Sequence, residues 1–433
     1  MKILQHPLKE DWPEILARPK LEQRGLEKSV RKIMEAVKKR GDRAVRKYTQ
    51  EFDGVKLRKL EVTEKEIRSA EKALSQQLKE AIRQAAQNIQ KFHEVQKQDI
   101  TVVETMTGVS CWRKSIAIDT VGLYIPGGTA PLFSTILMLG IPATLAGCRE
   151  IILCSPPDAQ GNLHPAILFA ARLVGVKKIF KTGGVQAIAA MAYGTDSIPR
   201  VDKIFGPGNQ YVTAAKQYAQ QEGMAIDMPA GPSEVCILAD ASANPAFVAA
   251  DLLSQAEHGK DSQVLLISND PKVISRTLEE VTLQLALLSR RDLAAAALEN
   301  SKAILVHDLE EGMAIVNAYA PEHLIIACAD DEKLSAMVRS AGSVFLGNYT
   351  PESAGDYASG TNHTLPTNGH ANAYSGVSLD SFVKKVTFQK ISKEGLSNLG
   401  GTITAMAEAE GLQAHAEAVR VRLSSSAEAL RKS

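Results

Sequence analysis

At 433 residues the chain exceeds what one hydrophobic core usually organises, so two or three domains are expected. Its 45% apolar and 23% charged residues are those of an ordinary globular protein, and a formal net charge of +1 excludes a surface built mainly for nucleic acid or anionic membrane. Cys111, Cys148, Cys154, Cys236 and Cys328 are scattered without a CxxC pair, which excludes a disulfide framework and a cysteine zinc site and points to a reducing compartment.

The opening, MKILQHPLKEDWPEI, lacks the apolar core of a signal peptide, so the protein is expected in the cytoplasm. A segment of about twenty residues leads into a charged helical region that runs to about residue 98. There TEKE offers a capping box from Thr63 to Glu66, followed by Ile67, Ala70, Leu74, Leu78, Ile82, Ala85, Ile89 and Phe92 at spacings of three and four. Residues 120–148 are uncharged but broken by Gly122, Pro126, Gly127, Gly128, Pro131, Gly140 and Pro142, so a buried strand–turn–helix unit fits better than a membrane span.

From about 116 to 222, apolar runs, glycine turns and helices alternate. TVGLYIPGG leads to a helix near 132–146, EIILCSPP to one near 164–175, KKIFKTGG to one from about 185, and DKIFGPGN to one near 210–221. Such alternation predicts a parallel sheet with covered faces, and sites in such sheets lie beyond the carboxyl ends of the strands. SEVCILAD, VLLISND, KAILVHD, LIIACAD and SVFLG, separated by helices, predict a second α/β layer. Residues 347–376 show no apolar period and read as a long structureless stretch of the kind that is functional or disordered. Residues 378–433 read as helices hinged at EAEGLQAH.

Asn244 and Pro245 open a helix, and Gly259 is a natural stop. Gln255 and His258 then stand three apart on its last turn, as two ligands for one ion or as a solvated helix end. In YAPEHL, Glu322 and His323 occupy a tight connection before a strand. They suit an acid–base pair, and an incidental surface turn reads equally well. Asp356 and His363 lie in the long loop, and Glu410 and His415 at the C-terminal hinge. Gln255, His258, Asp356 and His415 together would form a mixed nitrogen and oxygen site suited to zinc. The turns at 124–128, 182–186 and 206–209 could present amides to a pyrophosphate or be purely structural. None fits GxGxxG, since Tyr211 stands where the third glycine belongs.

The run IDMPAGPSEVCILADASANPAFVAADLLSQAEHG, with VGLYIPGG, FGPGNQYVTAAK, YAPEHL and PESAGDYASGTNHTLPT, closely resembles the histidinol dehydrogenase family, in order over nearly the whole chain. The resemblance implies an α/β fold of two Rossmann-like parallel-sheet domains with N-terminal and C-terminal helical extensions, in an intertwined dimer. Its expected divisions are an extension at 1–22, a discontinuous α/β domain of 23–120 and 234–377 carrying most of the metal site, an NAD-side α/β domain at 121–233, and a helical segment at 378–433 that reaches the partner subunit. It also implies zinc- and NAD-dependent oxidation of L-histidinol to L-histidine through histidinaldehyde, using two NAD and one zinc per subunit. Carried over by motif, Gln255, His258, Asp356 and His415 match the metal ligands and Glu322 and His323 the acid–base pair. Ser233, His363 and Glu410, with His323 and the metal ligands, match substrate contacts, and Tyr124, Gln186 and Asn209 match NAD contacts. His415 and Glu410 would come from the other subunit. A zinc hydrolase with the same ligands and a non-catalytic two-lobed binder are the readings of other classes.

Overall fold

The computed structural model describes residues 1–19, 25–127, 131–228 and 231–424. Gly128, the expected boundary at 22–23, residues 229 and 230 of the long motif, and the chain beyond 424 lie outside the described residues. The chain opens with β1 (Lys2–Gln5) and a short helix at Trp12–Ile15. Helices Leu26–Arg40, Asp42–Asp53, Glu64–Ala73 and Gln76–Glu94 follow. Each buries one stripe: in the first, Val30, Ile33, Met34 and Val37 recur at helical spacing and are the residues out of water. The capping box forms, with the Thr63 hydroxyl accepting the Glu66 N–H at 3.3 Å and the Glu66 carboxylate accepting the Thr63 N–H at 2.7 Å.

Strands β2 (Val102–Met106) and β3 (Val109–Ala117) pair antiparallel. Then come β4 (Thr120–Tyr124), β5 (Glu150–Ser155), β6 (Lys178–Lys181), β7 (Lys203–Phe205) and β8 (Ala225–Ile226). A second series follows: β9 (Glu234–Ala239), β10 (Gln263–Ser268), β11 (Lys302–Leu305), β12 (His323–Ala327) and β13 (Ser343–Leu346). The last strand, β14 (Val383–Ile391), precedes helices Lys393–Ala409 and Gln413–Leu423.

Two units result, one of Met1–Gln96 with Ile118–Phe382, the other of Lys97–Ala117 with the chain from Val383. The first holds two parallel sheets, ordered β6-β5-β4-β7-β8 and β1-β11-β10-β9-β12-β13. Without β1 the two orders are the same: third, second, first, fourth, fifth. Both are doubly wound and buried on both faces, which is why β4, β9, β10 and β12 are buried along their whole length. Side chains alternate between two cores, as where Val235, Ile237 and Ala239 face one side and Cys236 and Leu238 the other.

The second unit contains a three-stranded antiparallel sheet, β14-β3-β2, with Trp112 stacked on Phe388, and the paired terminal helices. This division differs from the expected grouping of 23–120 with 234–377. Helices between 26 and 94 share their cores with the five-stranded sheet, through Val30, Ile33 and Tyr48 on one face and Ile67, Ile82 and Ile89 on the other. Residues 97–117 leave for the second unit, and the C-terminal segment starts with a strand rather than being all helix. The stretch 347–376 is not structureless either, since it holds a helix at Glu352–Tyr357 and a 3-10 turn at His370–Asn372. Among the described residues no helix is long and apolar enough to cross a membrane.

Asp53 closes its helix at the negative end of the helix dipole, and its Oδ2 is buried without a hydrogen-bond partner. Burial pushes this carboxyl up to about 6. Its folded pKa lies above the unfolded value of 3.8, so stability falls as pH rises from the unfolded value to about 6, the penalty is complete above that, and it vanishes in acid. Asp53→Asn is expected to stabilise the protein by about 1 kcal/mol at pH 8 and by much less at pH 4.5. Thermal unfolding at both pH values checks this, and equal gains at the two would refute it.

Candidate active site

The amino ends of β9 and β12 adjoin the carboxyl end of β7. A small cavity of about 70 Å³ there is lined by Gly206, Pro207 and Gly208 from one sheet and by Ser233, Glu322 and His363 from the other side. The five-stranded sheet thus offers its carboxyl edge, as doubly wound sheets generally do, whereas the six-stranded sheet offers its amino edge.

Glu322 and His323 reach this place through a sharp exit from a helix. Helix Leu309–Tyr319 stops at Ala320, which adopts the left-handed conformation (φ 50°), and Pro321 has no N–H with which to continue it. His323 is the first residue of β12, registered against Val235 of β9 and Ser343 of β13. Glu322 Oε2 accepts the Glu234 backbone N–H at 2.9 Å and lies 3.7 Å from His323 Nδ1. Burial drives the Glu322 carboxyl up to about 8, against the attraction of His323. For His323 burial favours the neutral ring, but the carboxylates of Glu322, Glu352 and Asp356 outweigh it and raise the imidazole above its ordinary range.

Helix Pro245–Ala256 starts at the Asn244 cap, as the sequence predicts, with the side chain accepting the Ala246 N–H at 3.0 Å. It ends two residues short of His258: Gln255 is buried inside it, while His258 lies exposed in the turn beyond. Gln255 Nε2 sits 3.1 Å from the Glu234 carbonyl oxygen, 3.5 Å from Glu322 Oε2 and 3.0 Å from His323 Nδ1. A flipped amide would press oxygen against a carbonyl and a carboxylate, so the nitrogen belongs on this side. Gln255 Oε1 is left buried with no hydrogen-bond partner. His323 Nε2 is similarly without one, its nearest acidic neighbour being Asp356 Oδ1 at 3.5 Å.

His258, Glu352 and Asp356 each present a donor atom, all within 4.8 Å of one another. The His258 imidazole, the Asp356 carboxylate and the orphaned oxygen of Gln255 are nitrogen and oxygen donors of the kind that suit zinc, and the Glu352 carboxylate lies beside the first two. Glu352 was missed by sequence reasoning. It stands four residues before Asp356 and so on the same face of a helix, but a helix of six residues among glycine, serine and proline carries no apolar period to announce it. Glu352 is fully buried, and burial pushes its carboxyl up to about 8. His363 lines the small cavity with both nitrogens engaged, Nδ1 on the Asp356 carbonyl oxygen at 2.8 Å and Nε2 on the Thr135 hydroxyl at 3.0 Å. Glu410 and His415 lie in the second unit, both exposed.

On the five-stranded sheet, Tyr124 ends β4 and its hydroxyl accepts the Gly184 N–H at 3.1 Å. Gln186, in helix Gly184–Tyr193, is fully buried with an unpartnered Oε1. Asn209 caps helix Gln210–Gln221, its Oδ1 accepting the Tyr211 and Val212 N–H groups at 3.1 and 3.2 Å and its amide nitrogen remaining for a ligand. Gly206, at φ +125°, is required as glycine because a Cβ there would collide with the Tyr124 carbonyl oxygen. Tight glycine turns, two helix N-termini and spare amide groups suit a dinucleotide without its usual fingerprint.

Comparison with known proteins gives the family of the chain. Residues 16–423 match the family model described as histidinol dehydrogenase. A histidinol dehydrogenase of Bacteroides thetaiotaomicron is 61% identical over 423 residues, covering 98% of this chain and 99% of that protein. One from Xanthomonas campestris pv. campestris is 54% identical, covering 91% of this chain and 92% of the relative. The crystal structure of histidinol dehydrogenase from Elizabethkingia anophelis superposes with a TM-score of 0.97 at 55% identity, covering 98% of each chain.

The pair is held from behind by Gly342, whose N–H donates to the Pro321 carbonyl at 2.9 Å and where a Cβ would lie 2.5 Å from the Glu322 carbonyl oxygen. Gly342→Ala is expected to shift the Glu322–His323 backbone and lower kcat by at least about tenfold, since misplacement near 1 Å costs on the order of a hundredfold. Steady-state kinetics on folded variant would show it, and unchanged kcat would mean the strand start tolerates displacement.

Proposed function

The chain belongs to the histidinol dehydrogenase family and is an oxidoreductase, and from that premise we propose that it converts L-histidinol to L-histidine through histidinaldehyde. The observation that carries the reading is the buried Glu322–His323 pair, with His323 Nε2 unpartnered beside the donors of His258, Glu352 and Asp356. When bound, zinc on Gln255, His258, Asp356 and the partner subunit's His415 would act as a Lewis acid that holds the substrate's imidazole and amine, and NAD against Tyr124, Gln186 and Asn209 would accept a hydride in each oxidation.

Each oxidation also releases a proton, and the chain's own residues take it. With Nδ1–H donating to the Glu234 carbonyl at 3.1 Å, the deprotonated His323 ring offers its Nε2 lone pair to the substrate hydroxyl proton. Because the neighbouring carboxylates raise the imidazole, this form gains as pH rises. Glu322, as carboxylate, takes a proton from the water that adds to the aldehyde, while the protonated His323 returns its proton to the aldehyde oxygen. The neutral His323 then takes a hydroxyl proton of the resulting hydrate as the second hydride leaves. An adjacent carboxylate and imidazole suit this two-stage reaction because the aldehyde must be hydrated before it can leave. Ser233 and His363 contact the substrate from the cavity wall, and contact through the His363 ring would replace its bond to Thr135. The Glu410 of the partner subunit completes the set, in a homodimer with shared sites. A cytoplasmic location is supported by five cysteines that are all free.

Two NADH per histidinol consumed are expected, with turnover lost on chelation and restored by zinc. A ratio of one would sink the two-step reading, and turnover indifferent to chelation would sink the metal. In Glu322→Gln, oxidation of supplied histidinaldehyde should fall on the order of a hundredfold or more. Aldehyde oxidation at the parent rate would remove Glu322 from the water step.

A further inference from the structure

We propose that Arg18, on the N-terminal extension, is a positioning residue for the Glu322–His323 pair, acting through Glu234; this rests on the proposed roles of that pair. Glu234 is the first residue of β9, and it meets both members of the pair with its backbone. Its N–H donates to Glu322 Oε2 at 2.9 Å, and its carbonyl oxygen lies 3.1 Å from His323 Nδ1 and from Gln255 Nε2. The orientation of three site residues therefore follows the orientation of one peptide segment.

The Glu234 side chain fixes that segment. It is a carboxylate with 2% of its side chain exposed, which is costly unless paired and hydrogen-bonded. Arg18 supplies a two-pronged partner, Nε to Oε1 at 2.5 Å and Nη2 to Oε2 at 2.9 Å, and the Asn368 N–H donates to Oε1 at 2.8 Å. Arg18 is itself held. Its guanidinium stacks 4.1 Å over the Tyr319 ring and donates to the Tyr319 carbonyl at 2.7 Å. The Tyr319 hydroxyl donates to Gln263, whose amide nitrogen in turn donates to the Ala17 carbonyl at 3.2 Å. Trp12 and Leu16 bury the preceding turn in the core beneath. The extension is thus a brace whose tip ends one residue behind the acid–base pair. A lysine keeps the charge but cannot supply the planar fork.

The test compares Arg18→Lys and Arg18→Ala with the parent for kcat, KM for histidinol, thermal unfolding and response to added guanidinium. Arg18→Lys should unfold within a few degrees of the parent while kcat falls about tenfold, and Arg18→Ala should lose about a hundredfold in kcat. Guanidinium at concentrations below those that unfold the protein should restore part of the Arg18→Ala rate. Combined with Glu322→Gln, Arg18→Ala should add little further loss, because both act through one network. Parent-like kcat in both variants would overturn the proposal, as would a loss that guanidinium does not relieve and that is additive with Glu322→Gln. Glu322→Gln and His323→Asn alone separate the two claims: parent rates there sink the acid–base reading, whereas inactive single variants beside unaffected Arg18 variants sink only the brace.

Discussion

One constraint governs everything near the site: β8 ends at Ile226 and β9 begins at Glu234, so the carboxyl edge of one parallel sheet and the amino edge of the other, similarly wound one adjoin. The five-stranded sheet contributes glycine turns and helix N-termini, which favour phosphate and amide partners. The six-stranded sheet contributes the first residue of β9, whose backbone N–H is not consumed by the ladder. Glu234 uses this freedom, spending its N–H on Glu322 rather than on a neighbouring strand. A site made from two carboxyl edges could not have been arranged around a strand's first peptide in this way.

The polar groups at this junction are numerous, and nearly all are satisfied within the chain. Lys216 and Asp227 form a buried ion pair that grips the Gly206 turn, with Lys216 Nζ donating to the Gly206 carbonyl at 2.9 Å and Asp227 Oδ2 accepting its N–H at 2.8 Å. Glu234 is closed off by Arg18 and Asn368. Against this background the unpartnered atoms stand out: Gln255 Oε1, His323 Nε2 and Gln186 Oε1 are buried polar atoms that the fold leaves without hydrogen bonds. Each such atom costs stability. Two of them, Gln255 Oε1 and His323 Nε2, belong to side chains that lie against each other and carry donor or proton-transfer chemistry.

How far the sequence could be read depended on how strongly each segment's period was imposed by burial. Strands such as SEVCILAD lie under helices on both faces, so their apolar runs are continuous and their positions were clear. The strand Val383–Ile391 is half-exposed and its pairing partner is distant in the chain, so it resembled ordinary C-terminal helical sequence. The helix carrying Glu352 and Asp356 is only Glu352–Tyr357, too short to show a period among glycine, serine and proline, and its acidic pair went unread as a pair. Arg18 gave no local sign at all. Its partner lies 216 residues away, and nothing in ALARPK distinguishes a buried fork from a surface arginine.

What the sequence determined by itself was the alternation of strands and helices, the caps that start them, and the residue types able to bind a metal or move a proton. Those features are encoded within a few neighbouring positions, because helix and strand geometry repeat over short distances. Family motifs added roles to named residues without placing them. Only the tertiary structure decided that the helices of 26–94 cover the five-stranded sheet, that His258 meets Glu352 and Asp356, and that the backbone of Glu234 touches Glu322, His323 and Gln255. Each of these joins residues far apart in the chain. They exist because buried charge and buried apolar area must both find partners, and that requirement is met only when the whole chain has folded.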